Sequence, residues 1–204
     1  MKKTLQRIIQ IIFLALFVFL IINGKVQVWM GLFLLGIIAS FVLGRIYCGW
    51  LCSINTVMIG VTWIKKKLHI KNVNIPSFLT KAWVRYGALG IFVIVFIFTM
   101  VTGKKLPVLP ALFMIGVLLT FLFPEELWHR YLCPYGTILH LPAKTSKYYM
   151  TIDSHKCNNC GVCMRVCPAK SVEKHENTHE IHKSDCIVCM ECSRKCKQEA
   201  ISYK

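Results

Sequence analysis

The 204-residue chain is basic and apolar, with a formal net charge of +16 and 55% hydrophobic residues. All nine acidic residues lie at or after Glu125, so a stretch of 124 residues without any acid precedes them. A soluble domain of that size needs surface carboxylates, which favours lipid as its surroundings. Thirteen of the 25 Lys and Arg residues flank its apolar runs, a distribution typical of membrane topology charges that argues against nucleic-acid binding.

Four apolar segments have about the length of a membrane-spanning helix. They cover residues 5–22, 26–43, 83–101 and 106–123. The short connections at residues 23–25 and 102–105 predict two helical hairpins. We therefore predict an α-helical membrane domain with four transmembrane helices over residues 1–141. The alternative, buried helices of a soluble core, would need amphipathic partner helices that the sequence does not supply.

The orientation of the spans is predicted by their flanking charges, because Lys and Arg are retained on the cytoplasmic side. Ten of them lie before or at the start of the first span, or between the second span and the first turn of the third, against three at the hairpin tips. We therefore expect a multi-pass protein of the bacterial inner (cell) membrane with both termini in the cytoplasm. The first segment ends in "IINGK" without a small-residue cleavage pattern, so it is expected to remain as an anchor.

The segment between the second and third spans changes from apolar to basic along residues 54–71. This pattern predicts a helix in the cytoplasmic interface, with a short re-entrant segment as the alternative. Lys65, Lys66 and Lys67 are expected to face anionic lipid, with a patch that binds a partner protein as the alternative. After the fourth span, residues 142–149 are predicted to be a basic linker.

Residues 150–204, called here the tail domain, contain two cysteine runs with C-x2-C-x2-C-x3-C spacing, offset by 29 residues. The runs are Cys157, Cys160, Cys163 and Cys167, followed by Cys186, Cys189, Cys192 and Cys196. Three thiolates on one tight loop can take three corners of an iron-sulfur cube, and the fourth cysteine of the run then binds the other cube. This exchange predicts one [4Fe-4S] cluster on Cys157, Cys160, Cys163 and Cys196, and another on Cys186, Cys189, Cys192 and Cys167.

Zinc is the alternative metal, since paired C-x2-C motifs also form four-cysteine zinc sites. Two complete runs and Pro168 after the first favour iron-sulfur. Thiolates that hold iron must stay reduced during assembly, which places the tail domain in the cytoplasm. Since thiolates complete both sites, the remaining histidines are expected in surface loops without a role, at His155, His175, His179 and His182.

The tail domain resembles the bacterial two-cluster ferredoxins over about residues 150–204, with all eight ligand positions matched. The resemblance implies a small α+β fold that binds two [4Fe-4S] clusters. The sequence departs from the repeat at Lys197, which stands where Pro168 stands in the first half. This change alters no ligand.

Two related motifs follow the second and fourth spans, "GRIYCGWLCSINT" and "WHRYLCPYGTI". At an offset of 81 residues, Cys52 aligns with Cys133 and Cys48 aligns with His129. The membrane half therefore looks duplicated, with each hairpin followed by a C-x3-C or an H-x3-C motif.

Together with the tail domain, these motifs resemble a family of membrane polyferredoxins. The family includes the quinol-dehydrogenase subunit of periplasmic nitrate reductase, the nitrous-oxide reductase regulator and cytochrome-oxidase assembly ferredoxins. Membership implies electron transfer between the quinone pool or cytoplasmic donors and a partner protein. The chain departs from the family pattern at Ser53, where a proline is usual, and at His129, where a cysteine is usual.

Three interpretations of Cys48, Cys52, His129 and Cys133 remain open. The four soft ligands could converge into a third metal or redox site. Cys48 and Cys52 could instead form a dithiol that cycles with a disulfide. In the third interpretation the cysteines only pack, and His129 is hydrogen-bonded locally.

The span interiors contain essentially no ionisable residues, which argues against a transporter or ion pump. No histidine occurs before His69, so a bis-histidine haem is not predicted, and nothing indicates flavin. We predict a membrane-bound electron carrier with redox partner proteins, more a redox subunit than an independent enzyme. One alternative is a quinol-oxidising dehydrogenase subunit in which His129 accepts a proton. Another is a redox assembly or regulatory protein for a metalloenzyme.

Overall fold

The computed structural model describes residues 3–102, 107–175 and 178–204. Within these ranges the helices are α1 Lys3–Ile22, α2 Val26–Leu43, α3 Ile46–Trp50, α4 Ser53–Lys67, α5 Ala82–Thr102, α6 Val108–Leu122, α7 Pro134–Ala143, α8 Val162–Val166 and α9 Glu191–Lys195. The strands are β1 Met150–Ile152, β2 Val172–His175, β3 Thr178–Ile181 and β4 Ile201–Tyr203. A 3₁₀ turn lies at Ser77–Thr80 and a π-helical segment at Leu127–Leu132.

Among the described residues, three helices have the length and apolar composition to cross a membrane: α1, α2 and the Ala82–Thr99 part of α5. Large apolar side chains on them are exposed, such as Ile38 at 67% and Ile94 at 68%, as helices in lipid require. The predicted helical membrane half is confirmed at this level. The fourth apolar helix, α6, has 15 residues and rises about 22 Å, less than the roughly 30 Å of hydrocarbon. The four-span arrangement stays a prediction, and the predicted start at Leu106 lies outside the described residues.

Contacts divide the chain into two units, Met1–Cys52 with Ile138–Lys204, and Ser53–Thr137. The tail domain thus groups with the first hairpin. The backbone N–H of Tyr148 donates to the carbonyl of Val42, and the Tyr203 hydroxyl donates to the carbonyl of Leu43 at 2.9 Å. The predicted limits 1–141, 142–149 and 150–204 stay a prediction.

In the first unit, α1 and α2 form a hairpin whose turn has Gly24 at φ 66°. Phe17 and Trp29 pack between the helices with ring centroids 4.8 Å apart. Gly44 ends α2 at φ 65°, a backbone conformation that glycine adopts without steric cost. The chain can therefore change direction there and enter α3.

In the second unit, α4 packs against α6. Gly116 of α6 allows this contact, since a Cβ there would lie only 3.0 Å from the side chain of Ile54 in α4. Lys65 is buried and donates to the carbonyl of Thr120 at 2.7 Å. The prediction that Lys65 faces lipid is therefore wrong, because its ammonium satisfies a carbonyl of the neighbouring helix. Lys66 and Lys67 are exposed.

The described residues of the tail domain form two antiparallel sheets of two strands each, β1 with β4 and β2 with β3. The 29-residue repeat relates β1 to β3, α8 to α9 and β2 to β4. Each sheet therefore pairs one strand of the first half with one strand of the second. Met150, Val172, Ile181 and Ile201 bring all four strands into one core with several of the cysteines.

Candidate metal centres

Two cavities in the tail domain are each lined by four cysteines. The first cavity is lined by Cys157, Cys160, Cys163 and Cys196. The second cavity is lined by Cys167, Cys186, Cys189 and Cys192. The structure thus brings together the two groups that the exchange of fourth cysteines specifies.

The backbone of both cysteine loops is held in an unusual conformation. Asn159 and Gly161 have positive φ in the first loop, and Val188 and Met190 have positive φ at the equivalent positions of the second. This left-handed conformation costs roughly 1–2 kcal/mol for a residue other than glycine, and Val188 is also β-branched. Left-handed residues turn successive N–H groups toward one concave side, a geometry common at phosphate and iron-sulfur sites. The loops are therefore shaped to surround a negatively charged group.

The fourth cysteine of each run leaves its own loop through the end of a short helix. Cys167 follows α8 and Cys196 follows α9, both in extended backbone with φ −77°. The two helices pack together, so each of these thiols reaches the cavity of the other run. The Ser171 N–H lies 3.4 Å from the Cys167 sulfur, an interaction that stabilises a thiolate.

Burial makes the thiolate form costly in the second cavity. It raises the pKa of the Cys186 thiol to about 11 and, with the neighbouring sulfurs, that of Cys192 to about 12. Burial also raises the pKa of Cys163 in the first cavity. Thiolates at these positions need positive charge among them, which a thiolate-bound metal supplies. Soft sulfur donors in an apolar lining suit iron-sulfur or zinc, and the concave loops favour the cluster.

The two loops differ in their surroundings. In the first, Cys160 is exposed. In the second, Ile187 and Val188 are at most 2% exposed, because the loop packs against α3, the short helix that follows the first hairpin. The Trp50 indole N–H donates to the Val188 carbonyl at 3.0 Å, and a Cβ at Gly49 would collide with the Ile187 carbonyl oxygen.

Two polar side chains of the first helix support this contact. Gln6 and Gln10 are buried in α1, and both side-chain amides donate to the Gly49 carbonyl, at 3.1 and 2.8 Å. Arg194 of α9 donates to the side-chain Oε1 of Gln6 at 2.9 Å and to the backbone carbonyl of Cys189 at 2.8 Å. Arg194 thus joins the side chain of Gln6 in α1 to the backbone of the second loop.

Two histidines of the first unit have positions that the sequence did not predict. His179 is 4% exposed and lines the first cavity, so its predicted surface position is wrong. The alternation of β3, which buries Ile181, also buries His179. His140 was not singled out by the sequence, yet its Nδ1 lies 3.1 Å from an Asp185 carboxylate oxygen. No spacing signal connects residues 45 positions apart.

The four residues of the possible third site are divided between the units. Cys48 is buried in α3, with its sulfur 3.9 Å from the Arg45 guanidinium, and Cys52 is partly buried. In the other unit His129 is buried, and the Cys133 sulfur lies 3.4 Å from the Gly136 N–H. Among the described residues, no group of three or more His, Cys, Asp or Glu is placed to hold a single metal ion. The three interpretations of these residues stay predictions.

Two domain families match the sequence. A 4Fe-4S binding domain matches residues 26–71 and 106–148, which contain the two duplicated motifs. A 4Fe-4S dicluster domain matches residues 149–197, which contain both cysteine runs. The matched residues cover more than half of the chain.

Similar proteins occur in archaea and bacteria. An uncharacterized protein of Methanocaldococcus jannaschii is 30% identical over 83% of the chain and 68% of the relative. Ferredoxin-type protein NapH of Haemophilus influenzae is 30% identical over 78% of the chain and 62% of the relative. Methylamine utilization ferredoxin-type protein MauN of Methylobacillus flagellatus is 31% identical over 63% of the chain and 50% of the relative. The chain thus spans about half to two thirds of these relatives. No solved structure is significantly similar to it.

Proposed function

The chain belongs to the membrane polyferredoxin family and is an electron-transfer protein that binds 4Fe-4S clusters, and we propose that two such clusters, one in each cavity, carry its electrons. The ligands would be Cys157, Cys160, Cys163 and Cys196 for the first, and Cys186, Cys189, Cys192 and Cys167 for the second. The observation that carries this proposal is the grouping of eight cysteines into two sets of four around two cavities.

When bound, a [4Fe-4S] cluster supplies a one-electron redox couple whose potential depends on hydrogen bonds, charge and solvent exposure. The chain's own residues set those conditions. The concave loops direct N–H groups inward, and the Ser171 N–H lies close to the Cys167 sulfur. Ile187 and Val188 keep water from the second loop. No bond of a substrate has to be made or broken.

Iron and sulfide analysis of protein purified without oxygen in detergent tests this function. Two cubes require about eight irons and eight sulfides per chain. About twelve irons would instead indicate a third cluster and bring in Cys48, Cys52, His129 and Cys133. Native protein that contains zinc alone, or no metal, would contradict the electron-carrier function.

We further propose that the protein is a multi-pass protein of the bacterial cell membrane, with four spans that include α6 and with both termini and the tail domain in the cytoplasm. The charge distribution supports this orientation, with ten Lys and Arg on the predicted inner side and three at the hairpin tips. Protease added to intact spheroplasts should then leave the tail domain uncut, and cut it after the membrane is opened. Cleavage in intact spheroplasts would contradict the orientation.

A second candidate function is quinol oxidation, with His129 as the proton acceptor. The buried position of His129 in a π-helical segment supports it, since π-helical turns often occur at functional sites. Reduction of the anaerobic protein by a quinol, lost in His129→Gln while dithionite still reduces both clusters, would support the dehydrogenase subunit. Full reduction by dithionite with no quinol response would leave the simple carrier.

A further inference from the structure

Arg45 is a buried cation at the junction between the first hairpin and the second cysteine loop. It follows Gly44 directly and is 1% exposed. Its guanidinium lies 3.4 Å from the carbonyl oxygens of Ser184 and Asp185, the two residues that precede Cys186. A buried charge is costly unless hydrogen bonds and nearby negative charge compensate it. Its position next to a thiolate loop supplies both.

The charge of Arg45 acts on the second cavity. Its guanidinium contacts the carbonyl of Asp185, the residue directly before Cys186, and Cys186 lines that cavity. The same guanidinium lies 3.9 Å from the Cys48 sulfur. Because it contacts the two residues that precede Cys186, Arg45 is close enough to stabilise negative charge on the second set of sulfurs.

The first cavity has no such buried contact described at the two residues that precede its own first cysteine, Cys157. The 29-residue repeat relates Ser184 and Asp185 to His155 and Lys156, and both of these are exposed. Water and salt screen a charge at Lys156 far more than a charge at the buried Arg45. The two loops therefore share a backbone shape but have unequal electrostatics.

We propose that Arg45 is a positioning residue that raises the reduction potential of the cluster in the second cavity and so offsets the effect of its burial. Reduction adds one negative charge, which burial disfavours and a fixed cation favours. This inference depends on the proposed function, because it requires two clusters. If Arg45 has this effect, the reduction potentials of the two clusters lie closer together than unequal solvent exposure alone would place them.

Potentiometric titration followed by electron paramagnetic resonance tests the proposal in the full-length protein in detergent. At an effective dielectric constant of about 20, a unit charge within about 10 Å changes a one-electron equilibrium by roughly tenfold or more. Arg45→Gln should therefore lower the potential of one cluster by at least about 59 mV, the equivalent of that factor. Arg45→Lys, which keeps the charge, should restore most of the shift, and Arg165→Gln should move neither potential because Arg165 is exposed.

An aqueous paramagnetic ion identifies the cluster that shifts. In the unsubstituted protein it should broaden the signal of the first cluster more than that of the second, and the less broadened signal should be the one that Arg45→Gln moves. Equal broadening of both signals would overturn the proposal even if no Arg45 variant assembled. Equal shifts of both potentials, no shift, or an Arg45→Lys shift as large as that of Arg45→Gln would also overturn it. Protein with eight irons and unchanged potentials refutes this inference alone, whereas protein without iron refutes the proposed function.

Discussion

The two cysteine loops of the tail domain have the same spacing and the same pattern of left-handed residues, yet they differ in what surrounds them. The second loop packs on α3 through Trp50 and Gly49, while Cys160 of the first is exposed. Local sequence therefore determines the shape of each loop, and the first hairpin determines the environment of only one. Substitutions that affect the loops unequally test this difference.

The largest effect is expected from replacing one cysteine ligand of either cluster. Cys196→Ala should abolish the first cluster and Cys192→Ala the second, although both residues lie in the second run. Iron should fall from about eight to about four per chain in each case. The resonance signal that remains should be accessible to an aqueous paramagnetic ion in Cys192→Ala and shielded in Cys196→Ala. Loss of the same signal in both variants would refute the exchange.

A smaller effect is expected where α3 meets the second loop. Gly49→Ala places a Cβ against the Ile187 carbonyl oxygen, and overpacking of this kind costs about 1–3 kcal/mol. The thermal midpoint should fall, and the second cluster should be lost before the first on heating. Gly60→Ala is the matched control, since a Cβ there meets nothing within 4 Å. Equal midpoints for the two variants would show that the contact with α3 does not matter for stability.

Removal of iron should make the protein sensitive to alkali through the second cavity. The folded-state pKa of Cys186 is about 11 and that of Cys192 about 12, against 9.0 ordinarily. Well below pH 9 these thiols are protonated in both states, so they do not alter stability there. As the pH rises from 9 toward 11, the unfolded chain loses protons that the folded chain retains, and stability falls by at most about 1.4 kcal/mol per thiol per pH unit.

Denaturant unfolding of iron-depleted protein at pH 8 and pH 10 measures this dependence. Replacing Cys186 and Cys192 by Ala should reduce it. A stability that rises with pH, or a slope unchanged in the double variant, would contradict the role of these two thiols.

The smallest effect is expected at a single hydrogen bond. Trp50→Phe keeps an aromatic ring but removes the N–H that donates to the Val188 carbonyl. One such bond contributes about 0.5–1.5 kcal/mol, and somewhat more when the carbonyl is left unpaired in a buried place. Amide hydrogen exchange in the second loop should accelerate, while exchange in the first loop should not change. Trp63→Phe, at a residue that is 62% exposed, is the control.

Spacing and hydropathy predicted those features that depend on short stretches of chain. The grouping of the eight cysteines followed from two runs in which each loop is only seven residues long. The apolar helices α1, α2 and α5 followed from their composition, since lipid places the same demand on every residue of a span.

The features that sequence reasoning missed depend on contacts between distant residues. Arg45 and the second loop are about 140 residues apart, and nothing in "GRIYCGW" specifies which loop it meets. Lys65 was expected to face lipid, because a basic run gives no indication that one of its members finds the Thr120 carbonyl. His179 was expected in a loop, because the strand that buries it is only four residues long.

The exchange of the fourth cysteine between the two runs also has a consequence for biosynthesis. The ribosome makes Cys157, Cys160 and Cys163 first, but their cavity lacks its fourth thiol until Cys196 has been added. The second cavity needs only Cys167, Cys186, Cys189 and Cys192, all of which emerge before Cys196. Under the proposed ligand assignment, the half that is translated first is therefore completed last, and the first cavity has its four thiols only after the second cavity has all of its own.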